Sequence, residues 1–204
     1  KFKQYKDKLR FFIGDVRDKE RLEEVFNKYK PNVVFHAAAH KHVPLMETSP
    51  LEAIHNNVFG TYNVVNCADK FGVEKFVLIS TDKAVNPINL YGGTKLVSDK
   101  LFIGANAYAG TKDISFSIVR YGNVAGSRGS VIPFFRNIVA NGGTELPITD
   151  YAMTRFWISL DEGVQLVIKA LSEAKGGETF ISKIPSFKIT DLAQAILPGC
   201  KMPE

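Results

Sequence analysis

The sequence predicts an α/β fold in which helices cover both faces of a parallel sheet. Short apolar runs alternate with helically periodic segments between residues 9 and 182. The runs are continuously apolar instead of alternating, as in parallel strands buried on both faces. Strand and helix signals that alternate in this way favour a single parallel sheet with crossover helices.

The first predicted elements are a strand followed by a loop within residues 9–16, a helix and a second strand at residues 33–39. Asp18 is suited to cap the helix, because its carboxylate accepts hydrogen bonds from the first-turn amides. The second strand ends in three alanines. Small side chains there would let the backbone approach a ligand, and tight helix packing is the alternative explanation. The helix carries one apolar stripe at i, i+3, i+4 and i+7, formed by Leu22, Val25, Phe26 and Tyr29.

A basic loop at residues 40–44 precedes a long helix that Pro50 opens. Two histidines in this loop have no third ligand at matching spacing, so we predict no metal site. We expect the loop to line an anionic ligand, with ordinary surface residues as the alternative. Gly60 lies inside the long helix, where glycine costs about 1 kcal/mol relative to alanine. A close packing contact is the usual reason for such a residue.

The third strand, residues 75–80, ends beside an acid and a base, Asp82 and Lys83. After a turn at Asn86, a helix carries Tyr91 and Lys95 four residues apart and therefore on one face. Ligands of open parallel sheets bind at the carboxyl ends of the strands. These four groups together predict proton and hydride chemistry.

The second half of the chain continues the alternation. A strand at residues 114–123 leads into a loop rich in glycine and serine that is suited to hold phosphate. A helix near Phe134, a short extended edge segment at 146–149, a helix at 161–172, a strand at 178–182 and a final helix from Thr190 follow. Arg155 beside Trp157 predicts either a grip on a nucleotide or a cation–π contact.

Composition restricts the class of protein. The 204 residues carry 26 basic and 21 acidic side chains, for a net charge of +5. The basic residues near the start favour a solvated segment over a nucleic-acid patch. No apolar run approaches the roughly 20 residues of a membrane span. Cys67 and Cys200 are far apart and fit no metal or disulfide pattern, so we expect a cytoplasmic protein that binds neither nucleic acid nor membrane.

Four phrases in order carry a resemblance to a known family. Residues 36–44, 80–95, 120–131 and 153–158 are similar to the inverting UDP-N-acetylglucosamine 4,6-dehydratases, within the extended short-chain dehydrogenase/reductase superfamily. Those enzymes open pseudaminic-acid synthesis for flagellin and surface glycans. Related capsule dehydratases can carry methionine in place of Tyr91, so the tyrosine favours the pseudaminic-acid branch.

The resemblance implies a Rossmann-like fold and a division of chemical labour. NADP, or NAD, takes a hydride from sugar C4 and returns it at C6 after elimination across C5 and C6. Tyr91 removes the O4 proton, and Lys95 contacts the ribose and lowers the pKa of Tyr91. Lys83 acts at C5, and Asp82 protonates the departing C6 hydroxyl. Thr81 orients the substrate.

The same resemblance assigns the binding residues. The implied cofactor contacts are Asp15, Val16, Ala37, Ala38, Ala39, Lys41, Ile79, Ser80, Tyr91, Lys95, Tyr121, Gly122 and Val124. The implied contacts to the UDP-sugar are Thr81, Asn123, Ser127, Arg128 and Arg155, of which the two arginines would hold the diphosphate.

The glycine-rich dinucleotide fingerprint of the family is absent from this sequence. We therefore expect an interior portion of a longer protein, with the first strands of the sheet lacking and weak dinucleotide binding on its own. Residues 1–130 would form a partial Rossmann domain. Residues 131–204 would form a small substrate-binding portion, interdigitated with the first through a returning strand and helix. The full-length protein is expected to be a homo-oligomer.

Three functions remain open from the sequence. The first is inverting dehydration of UDP-N-acetylglucosamine. The second is another reaction of a UDP-sugar, namely 4-epimerisation or retaining dehydration, which would also use Tyr91 and Lys95. An epimerase has no elimination step, so Asp82 and Lys83 favour the first. The third is a non-catalytic fragment that acts as a binding module.

Overall fold

The computed structural model describes residues 3–109, 113–127 and 129–203. Its main sheet has four parallel strands in the order β1-β2-β3-β6, and a smaller sheet has the order β4-β5-β7. The strands are β1 (Val33–His36), β2 (Lys75–Thr81), β3 (Ser115–Tyr121), β4 (Asn123–Val124), β5 (Thr154–Ile158), β6 (Thr179–Ile181) and β7 (Ser186–Lys188). The helices are α1 (Lys19–Tyr29), α2 (Val43–Thr48), α3 (Pro50–Ile54), α4 (Gly60–Phe71), α5 (Leu90–Tyr108), α6 (Val131–Ala140), α7 (Leu160–Glu173) and α8 (Ile189–Ile196).

Helices cover both faces of the main sheet, as predicted. Even-numbered residues of β2 such as Phe76 and Leu78 pack against α1, α4 and α5. Val77, one position along, faces α7 and packs with Leu166 and Ala170. Because successive strand residues point to opposite faces, one continuously apolar strand supplies both cores.

A third core lies beside the smaller sheet. Phe135 of α6 and Ala193 of α8 pack there with Leu146 and Ile148, which are 0% and 2% exposed. The segment that holds these last two residues is extended and pairs with the chain near its end, through a bridge between Glu145 and Lys201. The boundary near residue 130 between two domains stays a prediction.

The long helix that Pro50 opens is not regular. A π-helical turn, His55–Phe59, separates α3 from α4. The glycine that follows it is closely packed as expected, since a Cβ on Gly60 would lie 2.6 Å from Cγ2 of Val16. π turns of this kind are frequent at functional sites, and the buried Asn57 lies within this one.

The strand predicted at residues 9–16 is wrong. Those residues form no strand, and the side chains of Phe11 and Ile13 are 84% and 94% exposed. In the described part of the chain β1 is the edge of the sheet, and no strand pairs with its outer side. An isolated extended segment has no ladder to supply its backbone hydrogen bonds, so an apolar composition alone does not make it a strand.

The short elements that escaped prediction include α2, β5 and β7. Helix α2 has six residues within the stretch interpreted as a basic loop and its continuation. Strands β5 and β7 pair antiparallel, with Arg155 opposite Phe187. Elements this short carry too few periods for a sequence pattern to show them. Among the described helices, none is both long and apolar enough to cross a membrane.

Candidate active site

The site is built where β2 ends. Thr81 closes the strand, and its hydroxyl accepts a hydrogen bond from the Lys83 amide at 3.3 Å, which turns the chain into one 3-10 turn. The Lys83 ammonium then lies 3.0 Å from Oδ1 of Asp82 and donates to Oδ1 of Asn123 at 3.1 Å. Asn123 follows β3, the parallel neighbour of β2, so both groups reach the same edge of the sheet.

Helix α5 is held tightly against this turn. Its first amides are capped by the side chain of Asn89, which accepts from Gly92, and by Glu47, which accepts from the Leu90 amide at 2.7 Å. A Cβ on Gly92 would lie 2.3 Å from the Lys83 carbonyl oxygen. The helix therefore approaches the backbone of Lys83 so closely that only glycine fits at this position.

Tyr91 and Lys95 face the strand end from the first turns of α5. Lys95 is 4% exposed, and its ammonium donates to the Ile79 carbonyl oxygen at 2.9 Å. Burial lowers the pKa of Lys95 to about 8, and the negative charge of Asp99 partly opposes this effect. Burial also raises the pKa of Tyr91 above its ordinary value, which outweighs the opposing hydrogen bond with Thr81. The protein groups around Tyr91 thus favour the neutral phenol, and a lowering of its pKa by Lys95 stays a prediction.

Most predicted site residues line one cleft of about 490 Å³. The cleft runs from the end of β1 across β2 to the loop after β3. From the cofactor set it contains Ala37, Ala39, Lys41, Ile79, Ser80, Tyr91, Lys95, Tyr121, Gly122 and Val124. From the catalytic and substrate sets it contains Thr81, Lys83, Asn123 and Ser127.

The structure places five other predicted residues, Asp15 among them, away from this lining. Asp82 lines an adjoining cavity of about 280 Å³, with Val85, Phe156 and Ile181. Ala38 lies between two residues that line the cleft. Val16 packs against the main core and against Gly60. The guanidinium of Arg155 donates to the Thr154 carbonyl oxygen, while the Trp157 ring packs on Phe187 at 4.1 Å.

Asp15 is held by a neighbour along the chain. Its carboxylate pairs with the Arg17 guanidinium at 2.7 Å, and hydrogen bonds from Arg17 lower the pKa of Asp15 to about 2. The cofactor contacts assigned to Asp15, Val16 and Ala38, like the diphosphate contact of Arg155, stay predictions. Arg128 lies outside the described residues.

Sequence reasoning missed a buried polar network behind the cleft. The Asn57 side chain binds both backbone groups of His40, at 2.8 and 3.0 Å, and donates to Thr94 of α5 at 3.0 Å. Ser98 of α5 donates to the Asn57 carbonyl oxygen. The network joins the loop after β1 to α5. The available signal in the sequence was Asn57 itself, a polar residue among the regularly spaced apolar residues of the helix that Pro50 opens.

His36 belongs to this network and predicts how stability depends on pH. Its ring Nε2 lies 3.0 Å from the Thr61 hydroxyl, which itself donates to the Asn57 carbonyl oxygen, so the neutral ring carries its proton on Nε2. Burial, and secondarily the charge of Lys95, lower the pKa of His36 to about 4 from 6.5.

Because the unfolded state binds this proton first as pH falls, the folded state loses stability between pH 6.5 and pH 4. We expect His36 to account for about 3 kcal/mol of that loss. Urea unfolding at pH 7 and pH 4.5 measures it, with His36→Gln as the non-titrating comparison. Equal losses in both proteins would contradict the assignment.

Comparison with known proteins identifies the family to which this chain belongs. The model of a family described as polysaccharide biosynthesis protein matches residues 1–203. The chain belongs to this family of extended short-chain dehydrogenases/reductases. Among the described residues, no group of three or more histidine, cysteine, aspartate or glutamate side chains is arranged to hold a metal ion.

Members of the family and its structural relatives include several sugar-nucleotide enzymes. The chain is 56% identical over 191 residues to an inverting UDP-N-acetylglucosamine 4,6-dehydratase of Campylobacter jejuni, covering 94% of this chain and 57% of that protein. It is 44% identical over 189 residues to a UDP-glucose 4-epimerase of Rickettsia rickettsii, covering 93% and 54%. The crystal structure of DesIV, a dTDP-glucose 4,6-dehydratase from Streptomyces venezuelae with NAD and TYD bound, superposes with a TM-score of 0.82 at 26% identity. That match covers 92% of this chain and 62% of DesIV, so the chain spans little more than half of each relative.

Proposed function

We propose that this chain carries the catalytic centre of a nucleotide-sugar 4,6-dehydratase. The observation that supports this proposal best is the contact between Asp82 and Lys83 at the end of β2. Lys83 also donates a hydrogen bond to Asn123, and the pair lies beside the helix that carries Tyr91 and Lys95. Tyrosine and lysine alone suit reversible oxidation at a carbinol. A carboxyl and an amine at the same strand end suit elimination of water, which needs one group to remove a proton and another to protonate the leaving hydroxyl.

The residues present fit the nicotinamide end of a dinucleotide. Ala37 and Ala39 leave room at the end of β1, and Ser80 carries a buried hydroxyl without a hydrogen-bond partner among the described residues. Lys95 would hold the ribose and Lys41 the phosphates. When bound, the cofactor would accept a hydride from C4 and give it back at C6. We propose NADP, with NAD as the alternative that the DesIV crystal structure supports.

The side chains of the protein would then carry out the proton transfers of the reaction. Tyr91, as the phenolate that the positive charge of Lys95 would favour, takes the proton from the C4 hydroxyl as C4 is oxidised. The resulting 4-keto group acidifies the proton on C5, and Lys83 removes it. Asp82 protonates the C6 hydroxyl as the C6–O bond breaks, so that water leaves and an enone forms. After hydride addition at C6, reprotonation at C5 on the opposite face inverts that centre.

The ion pair suggests how both groups reach the required protonation state. Elimination needs Lys83 as the neutral amine and Asp82 as the neutral acid, whereas their 3.0 Å contact joins an ammonium to a carboxylate. Moving one proton across this hydrogen bond produces both reactive forms, with no change in total charge. A bound sugar that excludes water would favour this transfer, because desolvation penalises the charged forms.

A 4-epimerase is the second candidate, favoured by the 44% identity to the Rickettsia rickettsii protein. It would use Tyr91 and Lys95 in the same way. It would leave the Asp82–Lys83 pair without a chemical step.

The finer assignments belong to the same proposal. We take the substrate to be UDP-N-acetylglucosamine and the outcome to be inversion at C5, because the Campylobacter jejuni relative carries that name at 56% identity. Pseudaminic-acid and flagellin glycan synthesis, a cytoplasmic location, a homo-oligomeric assembly and the division at residue 130 accompany it.

Proton NMR of the protein at its natural length, incubated with UDP-N-acetylglucosamine and NADP, tests the proposal. We expect a 4-keto-6-deoxy sugar nucleotide, recognised by a C6 methyl signal. A product with its C6 hydroxyl intact and altered only at C4 would show the epimerase instead.

A further inference from the structure

A buried ion pair lies one helical turn behind the catalytic lysine. Asp99 follows Lys95 by four residues on α5, so both project from one face of the helix. Its Oδ2 accepts a hydrogen bond from Nε of Arg120 on β3 at 2.8 Å, and Nη2 of the same guanidinium lies 2.8 Å from it as an ion pair. The Asp99 side chain is 1% exposed and that of Arg120 is 18% exposed. Arg120 in turn sits opposite Ser80 in the sheet, next to the carbonyl that holds Lys95.

This pair is poorly explained as a device for stability. Oδ1 of Asp99 has no hydrogen-bond partner among the described residues, although it is buried. An unsatisfied buried acceptor is costly, and well-packed apolar residues in place of a buried ion pair are often as stable or more so. A simple contact between α5 and β3 would not need these charges, so the carboxylate calls for another role.

That role concerns the charge of Lys95. Its ammonium is buried, and burial favours the neutral amine. The surrounding charged and titratable groups come from every packed element: His36 from β1, Asp82 and Lys83 from the end of β2, Tyr91 and Asp99 from α5, Arg120 and Tyr121 from β3, and Lys41 and His42 from the loop before α2. Within this set, Asp99 is the group whose charge opposes the effect of burial on Lys95.

We propose that Asp99, oriented by Arg120, is a positioning residue that keeps the Lys95 ammonium charged at the catalytic centre. Arg120 has two effects. It fixes the carboxylate through one hydrogen bond and a close ion-pair contact, and its own charge weakens the field that Asp99 exerts on Lys95. The consequence for catalysis rests on the function proposed above, but the electrostatic effect on Lys95 can be measured without substrate.

Opposite responses distinguish this role from a structural one. Asp99→Asn keeps the shape and an acceptor for Arg120 but removes the negative charge, so Lys95 should lose its proton more easily. Arg120→Gln removes the opposing positive charge, so Lys95 should hold its proton more strongly. A bridge that merely ties α5 to β3 is weakened by either change, and both variants would then behave alike.

The test is NMR titration of the protein carrying ¹³C-labelled lysine, with the Lys95 signal assigned by its loss in Lys95→Arg. We expect a midpoint near pH 8 in the wild type. It should move about one pH unit lower in Asp99→Asn and move higher in Arg120→Gln. Glu23→Gln, which removes a carboxylate paired with Lys70 on the distant α1–α4 surface, should leave it unchanged. Movement in one direction in both Asp99→Asn and Arg120→Gln, or none in Asp99→Asn, would overturn the proposal.

Two further readouts keep the test decisive. If Arg120→Gln does not fold, Arg120→Lys can replace it. This variant retains the positive charge, so its Lys95 should titrate like that of the wild type. An equal shift of the Lys95 midpoint in Arg120→Lys and Asp99→Asn would contradict the proposal. In the dehydration assay, Asp99→Asn should lose activity at lower alkaline pH than the wild type. If no dehydration is seen in any protein while the NMR shifts appear, the proposed function fails and the electrostatic role of Asp99 stands.

Discussion

Lys83→Met should lower the rate of dehydration by about 10²–10⁴-fold, the usual contribution of a positioned acid or base. Methionine keeps most of the side-chain volume but cannot accept the C5 proton or share a proton with Asp82. In the proposed mechanism, oxidation at C4 depends on Tyr91 and Lys95, which this substitution leaves in place. We therefore expect the variant to form a 4-keto sugar that keeps its C6 hydroxyl.

A borodeuteride quench followed by mass spectrometry measures this species, because reduction of the keto group places one deuterium at C4. Lys169→Met is the matched control. Lys169 is 58% exposed on α7, and its contact is a 3.9 Å ion pair with Glu173, so its removal should leave turnover unchanged. Dehydration by Lys83→Met within tenfold of the wild-type rate would remove Lys83 from the elimination step.

Neighbouring glycines on α5 should respond oppositely to alanine. In Gly92→Ala the new methyl group would lie 2.3 Å from the Lys83 carbonyl oxygen and 2.8 Å from Cβ of Pro87. Relief of these contacts must move the helix or the turn, at about 1–3 kcal/mol. In Gly93→Ala the methyl meets no described atom within 4 Å apart from its chain neighbours and the nearby backbone of its own helix, and the higher helix propensity of alanine should stabilise the protein by up to about 1 kcal/mol.

Urea unfolding of both variants gives the two free energies, and turnover gives a second comparison. Since Gly92 touches the backbone of Lys83, we expect Gly92→Ala to lower the dehydration rate as well, whereas Gly93→Ala should keep it. Equal stability in the two variants would show that the turn at residues 82–84 adapts freely, and that α5 does not position it.

The sequence was sufficient for the parts of the fold that repeat. Period 3.6 located α1, α5 and α7, and unbroken apolar runs located β2 and β3, because burial against two helical layers demands such runs. Composition misled at residues 9–16, where Phe11 and Ile13 have no neighbouring strand in the described chain and stay exposed. A strand depends on its partner, which local sequence does not encode.

The candidate site likewise contains contacts that the sequence could predict and contacts that it could not. Residues next to one another in sequence, such as Asp82 and Lys83, or one turn apart, such as Tyr91 and Lys95, could be paired from spacing alone. Asn57, His36 and Asp99 could not, since their partners come from other elements. Long-range register decides those contacts, and the surrounding apolar pattern conceals them.

Proton NMR of the reaction in D₂O tests the proposed dehydration most directly. Removal of the C5 proton and reprotonation on the opposite face should give a 4-keto-6-deoxy product with one solvent deuterium at C5 and inverted configuration there. Lys83→Met should abolish that incorporation. A product that keeps its original C5 proton, or a sugar changed only at C4, would contradict elimination at the Asp82–Lys83 pair.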